Sequence, residues 1–223
     1  MDLGIYGAGG LATDVFDLAN DCNIAHSRWS KIVFIDDTLP RGELFNEERI
    51  PYDEFKKLYS PGTAQIVLAI SEPNDRAQVY ERIKRDGFEL ASLVHPDCRV
   101  GIGASIGEGT VIRHGCQLGA RARVGSNVHI QVNVQVGHDT IVGDSTHIAS
   151  RSVICGCCTV GERCFIGTGS LIRERTLIGS GAITSMGAVV LNDVPENATV
   201  MGNPARETRR SGERVMRQRS NKL

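Results

Sequence analysis

A small α/β domain leading into an all-β parallel solenoid is the fold class that this 223-residue sequence predicts. Three observations carry it. The chain opens with a strand-like run, a Gly-rich turn and a helical pattern. Two further strand-like runs then alternate with helical ones. From Val100 to Ile178 an aliphatic residue recurs every six positions without a miss. The divisions that follow are 1–92 for the α/β domain, 93–206 for the solenoid and 207–223 for a basic C-terminal tail.

Residues 3–6 form the first strand and run into Gly7-Ala8-Gly9-Gly10, and residues 12–20 have helical spacing through Val15, Leu18 and Ala19. Strand, Gly-rich turn and helix open a Rossmann-like βαβ unit, whose free helix N-terminus suits a phosphate. Gly7, Gly9 and Gly10 are therefore candidate nucleotide contacts, although Ala12 or Thr13 stands where a full G-x-G-x-x-G has its last Gly. Residues 31–35 are the second strand. It ends in Asp36-Asp37, at the edge where such folds hold ribose hydroxyls with a carboxylate. A short helix over 51–58, a strand over 65–70 and a helix over 75–85 follow, and residues 87–94 lead through His95-Pro96 into the repeat. Three strands in some 92 residues are too few for a dinucleotide domain of two halves, so a mononucleotide or nucleotide-sugar fits better than NAD. The plainer alternative is a small cap whose turn binds nothing.

The six-residue series is Val100, Ile106, Ile112, Leu118, Val124, Ile130, Val136, Val142, Ile148, Ile154, Val160, Ile166, Ile172 and Ile178. Nine of the fourteen following positions are Gly, and the position four after each aliphatic holds nothing larger than Val. A period of six fits neither a helix nor a strand alternation. It is the signature of a hexapeptide β-solenoid with three short strands per coil. One aliphatic per strand fills a narrow prism, and the small residue leaves the chain room to turn. Coils stack at roughly 4.8 Å, so residues 18 apart lie above one another. Fourteen hexads make almost five coils, with no long loop leaving the prism.

The residues that the repeat does not dictate carry the functional signal. His129, His138 and His147 are nine apart, so His129 and His147 stack on adjacent coils. His138 follows the inward Val136 by two and should project outward with Asp139 beside it. An imidazole paired with a carboxylate on a rigid surface is a suitable general base near neutral pH. Cys116, Cys158 and Cys164 occupy the small repeat position and read as core residues rather than a disulfide framework. Cys155-Gly156-Cys157-Cys158 lacks a second Cys pair at zinc-site spacing, so no metal is expected there.

A net charge of −1 gives no sign of nucleic-acid binding across the whole chain. The exception is the tail after Arg206, which is either a solvated end or a contact to a phosphate-rich cofactor. There is no apolar run near 18 residues and no signal-peptide pattern, so no membrane insertion and a cytoplasmic location are expected.

The combination Gly7-Ala8-Gly9-Gly10, Phe34-Ile35-Asp36-Asp37, Val136-Gly137-His138-Asp139, His147 and Gly202-Asn203-Pro204-Ala205-Arg206 resembles the nucleotide-aminosugar N-acetyltransferases. These belong to the left-handed β-helix, hexapeptide-repeat acyltransferase superfamily and include bacterial enzymes that acetylate a 4-amino sugar on UDP. Sialic-acid O-acetyltransferases share the layout. The likeness runs to about Arg206 and is the source of the left-handed expectation, since right-handed crossovers are the general rule.

The resemblance implies direct acetyl transfer from acetyl-CoA to the amine of a UDP-, dTDP- or GDP-linked amino sugar. His138 would be the base and Asp139 would orient it and stabilise the imidazolium. His147 would contact the thioester region, kept neutral by its stacked neighbour His129. Gly156 and Thr168 would bind the pantetheine arm along the prism edge, and Gly7, Gly9, Gly10, Asp36 and Asp37 the nucleotide. Of the cysteines, Cys155 would lie nearest the CoA path, without a covalent role. Because no solenoid loop closes the cleft, a neighbouring subunit must wall it, which implies a homotrimer. Leu11, Ser71-Glu72 and Gln131 depart from the pattern and leave the base, the sugar and the acyl chain open. Three other readings stand beside this one: a sialic-acid-type O-acetyltransferase, a non-catalytic nucleotide-binding scaffold, and a γ-type carbonic anhydrase. The last would need its three His to cluster, which half-coil spacing prevents within one subunit.

Overall fold

The structure is a computed structural model and describes residues 1–210. Its first half is a six-stranded sheet, ordered β3-β4-β2-β1-β5-β6, from β1 (Asp2–Tyr6), β2 (Ile32–Ile35), β3 (Gly42–Leu44), β4 (Glu47–Ile50), β5 (Ala64–Leu68) and β6 (Glu89–Leu90). All pair in parallel except the β3–β4 hairpin. That hairpin lies where the sequence shows no alternation and no Asn-Gly. Phe45 and Asn46 nonetheless take φ values of 54° and 63°, the left-handed pair that closes a two-residue hairpin turn. Phe45 then stacks on Phe16 with ring centroids 5.5 Å apart, which holds an aromatic residue in a conformation it rarely adopts.

Helix α1 (Gly10–His26) is longer than its apolar spacing indicated and ends at Ser27, whose φ of 50° makes a left-handed cap bonded back to Asn23. It buries Ala12, Val15, Leu18, Ala19 and Cys22, in a cluster with Leu3, Ile5 and Phe34 of the sheet and with Leu93 and Val111 of the solenoid. The helix is thus the filling between the two halves. Full burial of a side chain such as Val15 or Leu18 is worth about 1.5–3 kcal/mol, so the two halves share one core rather than meeting at a wet interface. Helices α2 (Tyr52–Leu58) and α3 (Pro73–Arg85) cover the opposite sheet face through Tyr52, Phe55 and Ile83. Burial on both faces is why β2 reads as an unbroken apolar run.

The solenoid is a three-sided, left-handed parallel β-helix. Its first face holds Leu93–Val94, Val111–Ile112, His129–Ile130, His147–Ile148, Phe165–Ile166, Ile183–Thr184 and Ala198–Met201. The second runs from Arg99–Val100 through Gln117–Leu118, Gln135–Val136 and Val153–Ile154 to Val189–Val190, and the third from Ser105–Ile106 to Leu177–Ile178. Register is 18 through the coils up to Val190, with His129 paired to His147 and Val136 to Ile154, and shortens to 16 in the last, where Ile183 pairs with Thr199. The small repeat position has a second job beyond turning. Thr110, Thr140, Thr146 and Ser152 donate to the carbonyls of Gly125, Cys155, Gly161 and Gly167, always fifteen residues on. Cys116, Cys158 and Cys164 direct their thiols to the carbonyls of Gln131, Arg173 and Gly179 by the same offset. The buried cysteines stand in for hydroxyls in one repeated inter-coil bond, which is why they alternate freely with Ser and Thr.

Arg206–Arg210 pairs antiparallel with Ala198–Met201, so the basic segment begins as an edge strand rather than as a loose tail. The rest of that segment lies outside the described residues. Among those described, no helix is long and apolar enough to cross a membrane.

Candidate functional site

The corner between the second and third faces carries the candidate base. His138 sits in the turn after Gln135–Val136, with its side chain 63% exposed. Its Nδ1 lies 2.8 Å from Oδ2 of Asp139. The next residue can aim back at the ring because Asp139 adopts φ of 57°, a left-handed corner that Asp tolerates better than most residues. Arg121, one coil earlier, donates from Nε to Oδ1 at 2.6 Å and from Nη2 to Oδ2 at 2.8 Å. Chiefly through Arg121 and then through His138, the Asp139 carboxyl is held down at about 2. An ionised carboxylate only accepts, so Nδ1 must carry the ring proton and Nε2 presents its lone pair.

Gly156, from the following coil, lies flat against that ring. A Cβ at this position would stand 2.6 Å from Nε2 and 2.8 Å from Cε1 of His138, so any side chain would push the imidazole aside. A groove of about 520 Å³ runs along the second face to this point, floored by Gly101, Gly119, Gly137 and Gly156 and walled by Gln117, Gln135 and Cys155. Its glycines keep an extended strip clear of side chains, the setting for an elongated chain such as pantetheine.

Not every expected contact joins this corner. Gly156 is there, but Thr168 is exposed at the corner between the first and second faces, because twelve residues are two-thirds of a coil. One pantetheine arm cannot follow a single edge of one subunit past both. His147 lies on the first face, half a coil from His138, and is only 5% exposed under the α/β domain. It stacks on Phe165 at 4.9 Å with a 4° interplanar angle, and His129 lies 6.1 Å from it. His147 is neutral as expected but for a different reason. Burial, then the nearby Arg76 guanidinium, push it down to about 3. His129 is pushed well below its ordinary range by burial and Arg76, and only then by His147.

Arg76 itself went unnoticed in the sequence. It is fully buried, and among the described residues its hydrogen bonds all go to backbone carbonyls. Nε donates to the Asn127 carbonyl, Nη1 to those of Ile70 and Ser71, and Nη2 to those of Ser145 and Thr146. Burial pushes its pKa down to about 9, still protonated at neutral pH. One fork therefore ties helix α3 to two coils of the solenoid beside His129 and His147.

The Gly-rich turn forms as expected. Gly7 takes φ of +123°, and a Cβ there would meet the Ala69 carbonyl at 2.9 Å. Gly9 is the extended N-cap of α1 and, like Gly10, faces open space. The first two helical N–H groups, of Gly10 and Leu11, have no intrahelical acceptor, and no acidic residue occupies the first turn. Behind them Arg113 bridges Asp14, at 2.8 Å, and Gln131, at 3.3 Å, across the cleft between α1 and the solenoid.

The two carboxylates expected at a ribose are also employed by the fold. Asp36 is buried and its Oδ1 accepts from the Thr38 amide and hydroxyl and from the Leu39 amide, closing its own turn. Asp37 accepts from the Tyr6 hydroxyl at 2.6 Å, the Tyr52 amide at 2.8 Å and Arg82 at 3.0 Å. Burial pushes its pKa up, but these donors outweigh it and hold the group below its ordinary value. Two thiols lie near this corner. Cys155 lines the groove, whereas Cys157 stands one coil above Asp139 and its amide donates to the His138 carbonyl at 2.8 Å.

Comparisons with known proteins agree with this two-part fold. The PglD N-terminal domain family matches residues 2–83, and the bacterial transferase hexapeptide family (six repeats) matches residues 139–174. The acetyltransferase domain of PglB from Neisseria gonorrhoeae FA1090 is 31% identical with a TM-score of 0.87, over 93% of this chain and 99% of that one. That domain has also been solved in complex with acetyl coenzyme A. PerB from Caulobacter crescentus, solved with CoA and GDP-perosamine, is 25% identical with a TM-score of 0.85, over 93% of this chain and 97% of that one. A serine acetyltransferase from Bacillus licheniformis is 37% identical over 59 residues, 26% of this chain. The chain spans about a quarter of the length of such curated relatives, 27% in this case. Full-length similarity at this identity, on both a PglD-type first domain and a hexapeptide second one, makes the chain a member of the hexapeptide-repeat acetyltransferase family that includes the gonococcal PglB acetyltransferase domain.

Proposed function

We propose that the protein transfers the acetyl group of acetyl-CoA to the amine of a nucleotide-linked amino sugar. The observation that carries this reading is His138, oriented through Nδ1 by Asp139 and exposed at the end of a glycine-floored groove. The amine nitrogen adds to the thioester carbonyl and gives its proton to His138 Nε2. The tetrahedral intermediate then collapses, the C–S bond breaks, and the imidazolium returns the proton to the departing CoA sulfur. Asp139, kept ionised by Arg121, stabilises the imidazolium without taking the proton. The solved relatives bind acetyl-CoA in one case and CoA with GDP-perosamine in another.

In this reading residues 1–92 hold the nucleotide-sugar and 93–206 the acyl donor. The diphosphate lies at the free N-terminus of α1, over Gly9 and Gly10. Asp36, through its Oδ2, and the partly exposed Asp37 are the carboxylates offered to the ribose at the end of β2. The reading also includes a homotrimer. His138 and the Gly-rich turn sit on different sides of one subunit, so a second copy is needed to bring base and acceptor together, and the same packing unites the Gly156 and Thr168 corners. Acetyl-CoA and nucleotide-sugars are cytoplasmic metabolites, which sets the location.

The test is acetyl transfer to a panel of UDP-, dTDP- and GDP-linked 3- and 4-amino sugars, read by product mass. One amino sugar should gain one acetyl group, and His138→Ala should lose at least about a hundredfold in kcat. Undiminished turnover in His138→Ala would remove the base assignment.

A further inference from the structure

The corner that holds the base carries a third donor that the transfer does not use. Arg121, Asp139, Cys157 and Arg175 form a column, 18 residues apart, all in the left-handed corner conformation at φ of 58°, 57°, 60° and 60°. The column places the Cys157 thiol against the catalytic pair. The ligand atoms of His138, Asp139 and Cys157 all lie within 4.8 Å of one another, and His138 and Cys157 are exposed.

The geometry points to a site at His138, Asp139 and Cys157 for one zinc-class divalent cation whose binding switches the base off. This inference rests on the reading of His138 as the base. Imidazole, carboxylate and thiolate form the mixed donor set that zinc and cobalt select, with a fourth position open toward the groove. Tetrahedral zinc needs its ligands closer than 4.8 Å, and two exposed side chains can close that gap by rotation. Arg121 engages both oxygens of Asp139, and Oδ2 gains a free lone pair for the metal once the His138 Nδ1 proton has left it. Magnesium and calcium, which require six or more oxygen ligands, find too few here.

The inhibition follows from proton positions. In the working form His138 carries its proton on Nδ1, toward Asp139, and offers Nε2 to the amine. A metal bound at Nδ1 leaves the neutral ring with its single proton on Nε2. The lone pair that accepts the amine proton is then gone, although the ring is in place and nothing has moved elsewhere. Cys157 ligates as thiolate, so one proton is released per metal bound: the thiol proton leaves and the ring proton changes nitrogen.

The experiment uses the chelator-stripped full chain, the Cys157→Ser variant, and zinc and cobalt as probes. Zinc should bind at one equivalent with inhibition in parallel, a chelator should restore the rate, and magnesium should do nothing. Cobalt should give a thiolate charge-transfer band. Cys157→Ser should keep the basal rate, lose the band, and bind zinc at least tenfold more weakly. No stoichiometric binding, or zinc affinity and band unchanged in Cys157→Ser, would overturn the site. Cys157-dependent binding with an unaffected rate would overturn the switch. Binding and the band are read without substrate, so they stand or fall apart from the assignment of the reaction.

Discussion

Arg121 and Asp139 stand one coil apart and meet in a two-pronged ion pair, Nε to Oδ1 at 2.6 Å and Nη2 to Oδ2 at 2.8 Å. The pair lies on the surface and adds little to stability, as exposed ion pairs generally do. Its effect is local. It keeps the carboxylate ionised and fixed, which in turn sets the tautomer of His138. Asp139→Asn should leave the fold intact and lower kcat on the order of 10²–10⁴-fold, because an amide no longer dictates which ring nitrogen is protonated. Arg121→Ala should cost less, roughly tenfold, with KM for both substrates little changed. Steady-state kinetics with thermal melts check both. Equal losses in the two variants would mean that Arg121 touches a substrate itself.

Gly156 tests how closely the ring must be held. In Gly156→Ala the new methyl falls 2.6–3.0 Å from three atoms of the His138 ring. The backbone needs no left-handed angle there, and the obstructed group is an exposed side chain free to swing. The melting temperature should therefore barely move, while kcat falls about a hundredfold through a displacement near 1 Å. A fall in stability without a fall in kcat would show the ring has another stable pose that works.

Much of this corner was legible in the sequence, and the unread part was legible by the same rule. The six-residue beat places His138 outside the prism and Asp139 beside it. Counting 18 from Asp139 in either direction lands on Arg121 and on Cys157, the latter visible in the sequence only as part of the run Cys155-Gly156-Cys157-Cys158. What the repeat cannot reveal is which face the first domain covers. Helix α1 packs through Leu93 and Val111 onto the first face, so His147 is buried rather than open to cofactor. Arg76 was invisible for the same reason, since a charged residue on α3 reads as surface until the domain lies against the solenoid. Asp36 and Asp37 mark the limit of motif spacing. Spacing places a carboxylate at the strand end but does not show that it also serves the fold, as Asp36 does in closing its own turn and Asp37 in accepting from Tyr52.

The buried His147 and His129 make stability depend on pH in a definite direction. Both have folded pKa values below the ordinary 6.5, His147 at about 3, so the unfolded chain binds protons that the folded one refuses. Their neutral forms cost nothing above 6.5. As pH falls from there toward 3 the protein should lose on the order of 1 kcal/mol per unit through His147, and His129 adds to the loss in the same direction. His147→Phe, which can still stack on Phe165, removes one of the two. Urea unfolding at pH 7, 6 and 5 should show the variant losing stability less steeply than the parent by about that amount per unit. Parallel slopes would mean that His147 takes up its proton without penalty.

The shared site can be tested by mixing two inactive chains. His138→Ala lacks the base. Gly9→Asp places a carboxylate at the N-cap of α1, where Gly9 has open space, so it should cap and stabilise the helix while repelling a diphosphate. Each variant alone should be inactive. If each site takes its base from one protomer and its Gly-rich turn from the next, subunits reassembled at random in a 1:1 mixture leave about a quarter of sites with both parts intact. The mixture should regain about a quarter of the parental specific activity, and light scattering should give three chains per particle. Base and turn working within one chain would leave every site defective however the chains are mixed, and the mixture would stay inactive.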